Sequence, residues 1–249
     1  MRKTRLLQAY PALGKGLCGN ARARATEELI VTERRVEAGV WAPSLDVQPE
    51  ELGLLVLDGL MIREVVLAPG RSMELIGRGD VLRPWQEEPS SFGKAQWEIL
   101  EPTRLAILDA AFSARLCRWP TVVSALLEAS VARCRIAAVQ AAITTPIGID
   151  QRLYTLLWLL AERWGRLGPN GVRLAIRLPH RVLGALIGVR RPTASSALGR
   201  LERKGLISRA QDGCWELHGN PPALPGESRN GDGDARRVQD ALDRDFAPG

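Results

Sequence analysis

The chain has 249 residues, 45% of them hydrophobic and 25% charged, with a formal net charge of +6. That composition is ordinary for one large or two small folded domains and excludes general disorder. The longest uninterrupted apolar run, Leu156 to Ala161, is six residues, against the ~20 that a membrane-spanning helix needs; the four cysteines (Cys18, Cys117, Cys134, Cys214) form no pair at metal-ligand or redox spacing, so neither a disulfide scaffold nor a Cys-rich zinc module is expected.

The charge is unevenly spread. Residues 1–26 carry six basic residues and no acid, and residues 173–209 carry nine basic residues against Glu202 alone. A structured segment with that excess is the electrostatic footprint of a polyanion-binding face. The N-terminal stretch also has the composition of an organellar transit peptide, but Pro11, Gly14, Gly16 and Gly19 interrupt any amphipathic helix there, and a flexible basic arm is expected.

From Glu51 to Asp109 short strands alternate with turns. Leu52, Leu54 and Val56 alternate before a turn signal at Asp58-Gly59; Leu60, Ile62 and Val65 to Leu67 follow, then a break at Pro69-Gly70, then Met73 and Leu75 leading to Gly77-Arg78-Gly79-Asp80. Trp97, Ile99, Leu105 and Ile107 resume the period of two. Strands at that spacing predict a small β sandwich or roll.

The period then changes. Pro120 to Ile143 contains no further proline and no glycine, and Val122, Leu126, Ala129, Arg133, Ile136, Gln140 and Ile143 form one stripe. Val123, Leu127, Ser130, Cys134, Ala137 and Ala141 form a second. Proline suits the first turn of a helix, and a long helix with two stripes is expected to bury one on its own domain and the other against a second copy. Thr144 to Gly148 reads as a hinge, Asp150 as the cap of a helix striped by Leu153, Leu156, Leu157, Leu160 and Trp164, and Gly165 as its end.

Val172, Leu174, Ile176 and Leu178 alternate with Arg173, Ala175 and Arg177, the pattern of a half-buried strand. Pro179 then opens a short helix with Val182, Leu183 and Leu186 inward, and Gly188 supplies the turn. Arg190 to Lys204 reads as a second helix, with Ala194, Ala197, Leu198 and Leu201 inward and Gly205 closing it. Gly184 is expected where the two helices cross too closely for a side chain. Leu206 to Arg209, Asp212-Gly213 and Cys214 to Leu217 give a hairpin. Two helices in this spacing also fit a plain core pair with a solvated face, but strand, helix, turn, helix and hairpin together describe a winged helix-turn-helix.

Residues 178–207 resemble the DNA-binding segment of the Crp/Fnr family of bacterial transcription regulators, through Gly188-Val189-Arg190-Arg191-Pro192-Thr193-Ala194-Ser195-Ser196-Ala197-Leu198, then Leu201-Glu202 and Gly205-Leu206-Ile207. The order of roll, long helix and winged helix is also the family's. Together with the composition of the two ends, the resemblance, which covers roughly residues 50–218, implies an α+β fold: a flexible arm (1–26), a β-roll sensor-like domain (27–110), a short helix and a long dimerisation helix (111–145), a winged helix-turn-helix (146–218) and a disordered tail (219–249) rich in Pro, Gly, Asp and Arg.

It further implies a cytoplasmic homodimer on double-stranded DNA, with RNA polymerase as a further partner and no enzymatic activity, cofactor or metal. Arg191, Pro192, Ser195 and Ser196 are then expected on base edges, and His180, Arg181, Arg190, Thr193, Arg200 and Arg203 on phosphates. Two departures stand out. The family commonly carries Arg-Glu and a second Arg one turn later on its recognition helix, where this chain has Arg191, Pro192 and Ser196. Its nucleotide-binding members carry Gly-Glu-Leu and Arg-Ser in the roll, where this chain reads Val81-Leu82-Arg83-Pro84-Trp85 and Ser91-Phe92-Gly93-Lys94-Ala95-Gln96. The effector is therefore open, with Arg83 and Lys94 as candidate contacts and no response to cyclic nucleotides expected. The competing reading is a protein–protein interaction module with a degenerate DNA-binding domain.

Overall fold

The computed structural model describes residues 2–43, 51–66, 71–86, 94–144, 148–169 and 171–222. The chain divides into two compact units, residues 1–135 and 136–249. The division falls inside the long helix rather than at the expected hinge, whose residues 145–147 lie outside the described ones, as do Pro69-Gly70 and the tail from residue 223.

The first unit is a roll built on one antiparallel sheet. Strands β1 (Arg2–Arg5), β2 (Ile30–Val36), β3 (Gly39–Trp41), β4 (Gly53–Val66), β5 (Arg71–Gly77), β6 (Val81–Leu82) and β7 (Lys94–Leu108) pair in the order β1-β2-β7-β4-β5, with β3 on β7 and β6 on β4. Alternation along β4 and β7 serves two cores. Leu54, Val56, Trp97 and Leu105 face a cluster with Trp41, Met61 and Ile76, while Leu55, Leu57, Ala106 and Leu108 face a second with Leu29, Phe112 and Leu116.

Asp58-Gly59 is not the expected turn. β4 runs straight through it as one strand, and the pairing with β7 slips at Val56, Asp58 and Leu60. The irregular strand needs glycine here: Gly59 has φ +99, and a Cβ on it would stand 2.5 Å from Thr103 Oγ1 and 2.7 Å from the Pro102 carbonyl. The strand is thus bulged against its neighbour rather than reversed. The Gly77–Asp80 turn does form, with Asp80 Oδ2 accepting from the Gly77 amide at 2.9 Å.

The expected flexible arm is also corrected. β1 pairs with β2 from Arg2↔Glu33 to Arg5↔Ile30, and α1 (Leu6–Ala9), a 3-10 turn at Pro11–Gly14 and α2 (Gly19–Glu28) follow. Leu6, Leu7, Leu13 and Ala25 are buried in the second core. Burying three leucine side chains contributes roughly 1.5–3 kcal/mol each and ties the segment to the roll, while its basic residues stay at the surface. Arg5 adds a bond to Glu27 at 2.6 Å.

Two helices follow the roll. α3 (Ala110–Leu116) is capped by Asp109, whose Oδ1 accepts from the Phe112 amide at 2.6 Å. α4 spans Pro120–Ile143, as the sequence predicts. Its first stripe turns inward at Val122, Leu126 and Ile143, while Val123, Leu127, Cys134, Ala137 and Ala141 of the second are exposed, Leu127 by 63%. Arg133 interrupts the first stripe because it grips Glu74 with both ends of its guanidinium (2.6 and 2.8 Å) and reaches the Val81 carbonyl at 2.9 Å.

In the second unit, α5 (Ile149–Trp164) precedes a small sheet of β8 (Gly165–Gly168), β9 (Gly171–Leu174), β10 (Ile207–Arg209) and β11 (Trp215–Leu217), in the order β10-β11-β9-β8. α6 (His180–Leu186) and α7 (Arg191–Arg203) pack on each other, and α7 packs on α5. Inward and outward residues keep alternating to Leu178, but the paired strand stops at Leu174, short of the expected end.

Candidate nucleic-acid interface

α6 buries Val182, Leu183 and Leu186, and α7 buries Ala194, Ala197, Leu198 and Leu201. The crossing leaves no room at Gly184: a Cβ there would stand 2.8 Å from the Val189 carbonyl and 3.3 Å from Ala194 Cβ. Between the helices Gly188 adopts φ +73, a left-handed conformation that favours glycine. Both roles match the sequence reading. α7 begins after Arg190 with Pro192 in its first turn, and Arg200 and Arg203 lie in its last turn, where cations complement the helix dipole.

The wing follows. β10 pairs with β11 from Ile207↔Leu217 to Arg209↔Trp215, and Asp212 Oδ1 accepts from the Cys214 amide at 3.1 Å to shape the tip. Arg173 on β9 pairs with Asp212. Tyr154 on α5 donates toward the His218 and Asn220 carbonyls, both at 3.1 Å, and ties down the end of the domain.

The expected contact residues separate into two sets. Arg181, Arg190, Arg191, Pro192, Ser196 and Arg203 are exposed, and Thr193 is half-buried. Ser195, His180 and Arg200 are placed differently from expectation. Ser195 Oγ lies 2.8 Å from His180 Nδ1, so its hydroxyl is turned inward rather than toward a groove. The His180 ring packs 6.2 Å from Trp215 at a 32° tilt, and its Nε2 is buried without a hydrogen-bond partner among the described residues. Burial holds the ring below the ordinary histidine range; Arg209 and Arg191 push the same way and Glu202 opposes them.

Arg200, expected on phosphate, instead grips Asp150, with Nε 2.9 Å and Nη2 2.7 Å from Oδ1. The same pair corrects the expected cap. α5 starts at Ile149 with Gly148 as its N-cap and no side-chain cap, so Asp150 lies inside the first turn, its carboxylate turned to Arg200 and, at 3.4 Å, to Lys204. The hydrogen bond from Arg200 holds the Asp150 carboxyl below the usual carboxylate range.

Arg209 was not among the expected contacts. It is exposed and its guanidinium lies 4.9 Å from the Trp215 ring centroid. The hint in the sequence is that a hairpin closed around Asp212-Gly213 places Arg209 opposite Trp215. In the first unit, Arg83 donates to the Glu51 carbonyl at 3.1 Å, and Lys94 is exposed at the start of β7. Residues 91–93, part of the second expected effector segment, lie outside the described ones.

A roll, a long helix and a winged helix-turn-helix with a basic second helix define the fold of the Crp/Fnr transcription regulators. The family model for the Crp-like helix-turn-helix domain matches residues 151–218, so the second unit carries that DNA-binding domain. Among solved structures, the chain is similar to FixK2 from Bradyrhizobium japonicum, at 17% identity over 89% of this chain and 100% of that one, with a TM-score of 0.57. It is also similar to a cyclic nucleotide-binding domain containing protein from Listeria monocytogenes EGD-e, at 16% identity over 75% and 89%, with a TM-score of 0.61. A CooA mutant from Carboxydothermus hydrogenoformans gives 16% identity over 86% and 88%, with a TM-score of 0.55. No curated protein sequence matches the chain. None of the described helices is long and apolar enough to cross a membrane.

Proposed function

We propose that the protein is a sequence-specific transcription regulator that binds two-fold symmetric DNA as a homodimer, without a requirement for a cyclic nucleotide. The observation that carries this reading is the exposed face of the first two turns of α7. Arg191, Pro192 and Ser196 are exposed together on a helix whose opposite face is buried in a Crp-like helix-turn-helix domain. In the major groove Arg191 reads a guanine through its two parallel N–H donors, and Pro192 and Ser196 supply shape and a single hydroxyl. Arg181, Arg190, Thr193 and Arg203 position the domain on phosphates.

With one charged reader per recognition helix, part of the specificity comes from DNA shape. The exposed stripe of α4 supports the dimer, since Val123 and Leu127 lie open along it with Cys134, Ala137 and Ala141. Selection of bound duplexes from a random pool, followed by sequencing, tests the proposal. Enrichment of a two-fold motif with half-sites about one helical turn apart is the expected result. Binding of no duplex, with capture of protein partners instead, would favour a protein–protein module.

A further inference from the structure

We propose that His180 is a positioning residue of the DNA-binding surface, tying the recognition helix, through Ser195, to the wing, through Trp215. The inference rests on the DNA-binding reading above. His180 is the first residue of α6, a place where an imidazole is free to point into solvent, yet its ring is drawn inward between two other elements. Nδ1 meets Ser195 Oγ at 2.8 Å, and either tautomer serves, with the ring N–H donating to the hydroxyl or the hydroxyl donating to the ring. The ring plane packs on Trp215, which is itself 2% exposed.

Each of these two contacts lies beside an exposed guanidinium. Ser195 is four residues after Arg191 on α7, so the two share a helix face. Trp215 is the cross-strand partner of Arg209, whose guanidinium lies over the indole. Both arginines lie close enough to act electrostatically on the ring. His180 therefore bridges the neighbours of one cation on α7 and one on the wing, and it sets the spacing between Arg191 and Arg209. A base reader displaced by a fraction of an ångström loses a bidentate bond, whereas a phosphate contact tolerates the shift. Loss of the bridge thus costs discrimination between sequences and leaves general attraction to DNA intact. Ser195 contributes to readout through His180 rather than by touching a base.

The test measures affinity of the full chain, by fluorescence anisotropy, for the duplex selected from a random pool and for a scrambled duplex of equal length. His180→Gln moves the polar group away from Ser195, and His180→Asn keeps one near the position of Nδ1. His180→Gln and Ser195→Ala are each expected to lower the selected-to-scrambled affinity ratio roughly tenfold, with affinity for the scrambled duplex unchanged. The double variant should be no worse than His180→Gln alone, and His180→Asn, which keeps a polar group near Ser195 but loses the packing on Trp215, should restore only part of the ratio.

Unchanged ratios, additive losses in the double variant, or equal losses on both duplexes overturn the proposal while leaving the DNA-binding reading in place. A wild-type chain that enriches no sequence overturns the DNA-binding reading and this one with it. Should the His180 variants fail to fold, Ser195→Ala alone decides, since it removes one half-buried oxygen.

Discussion

Arg200 of the recognition helix and Asp150 at the start of α5 form a bidentate pair, with Arg200 Nε between 2.9 and 3.0 Å from both carboxylate oxygens. The pair anchors α7 to the first helix of the winged domain and engages one cation of the recognition helix. Asp150→Asn is expected to lower the urea midpoint of unfolding near pH 7. Because the folded carboxyl titrates below its ordinary value, the stabilisation is complete above about pH 3.9 and fades as pH falls through the folded-state value. The gap between variant and wild type should therefore shrink toward about pH 3. An equal gap at both pH values would show that the charge of Asp150 contributes nothing.

Gly184 sets how closely α6 and α7 approach. Gly184→Ala should destabilise the domain by about 1–3 kcal/mol through overpacking, since the carbonyl of Val189 is backbone and cannot swing aside. The better helix propensity of alanine offsets up to about 1 kcal/mol of this. Chemical denaturation of the purified variant reads the difference, and a stabilised variant would mean that the crossing relaxes freely.

Leu126 and Leu127 are neighbours on α4 with opposite surroundings, 5% and 63% exposed. Leu126→Ala should cost about 2–5 kcal/mol of stability by opening a cavity in the roll. Leu127→Asp should leave the roll folded and shift the sedimenting species from dimer to monomer. A wild-type chain that sediments as a monomer at micromolar concentration would remove the basis for this expectation.

Arg191 and Arg203 stand at opposite ends of α7. Arg191→Ala should cost about 1–3 kcal/mol on the selected duplex and relax preference at one base pair per half-site. Arg203→Ala should weaken all duplexes alike and reduce the salt slope by about one. Selection repeated with each variant, together with titrations across salt concentrations, separates the two roles. Retention of the wild-type motif and affinity by Arg191→Ala would reassign the base reader.

Cyclic AMP and cyclic GMP are expected not to bind with useful affinity. Arg83 is engaged with the Glu51 carbonyl, and Lys94 lies paired with Val66 at the far end of β4 and β7. A buried cyclic phosphate that lacks charge-assisted hydrogen bonds forfeits about 1.5–3 kcal/mol for each. Isothermal titration is the check, and micromolar binding of either nucleotide would point back to Arg83 or Lys94.

The winged domain was the most legible part of the sequence because its signals are local. Gly184, Gly188 and Gly205 mark a crossing, a turn and an end, and the inward residues of α6 and α7 recur at helical spacing. α4 was legible for the same reason. The N-terminal cap was not: Leu6, Leu7 and Leu13 show no period of their own, and what orders them is a core assembled from Leu29, Leu55, Phe112 and Leu116, far away in sequence. The arginines of β1 read as an arm because an edge strand paired on one side needs no apolar pattern. Ser195, Arg200 and Asp150 were misplaced for a related reason. Polar residues on a basic helix look like ligand contacts until the partner that claims them is in view.

The slip at Asp58-Gly59 changes the phase of β4. Before it the even-numbered Leu54 and Val56 face the tryptophan-lined core, and beyond it the odd-numbered Met61 takes that face. From Val56 to Met61 β4 takes five residues where β7 takes six from Leu105 to Ile99, and this half-step lets one strand keep its apolar side inward along both halves of a curved sheet. Strict alternation over the same five residues would turn one half of the strand inside out. The irregular backbone at Gly59, and not the side-chain pattern alone, therefore decides which residues of β4 reach the core.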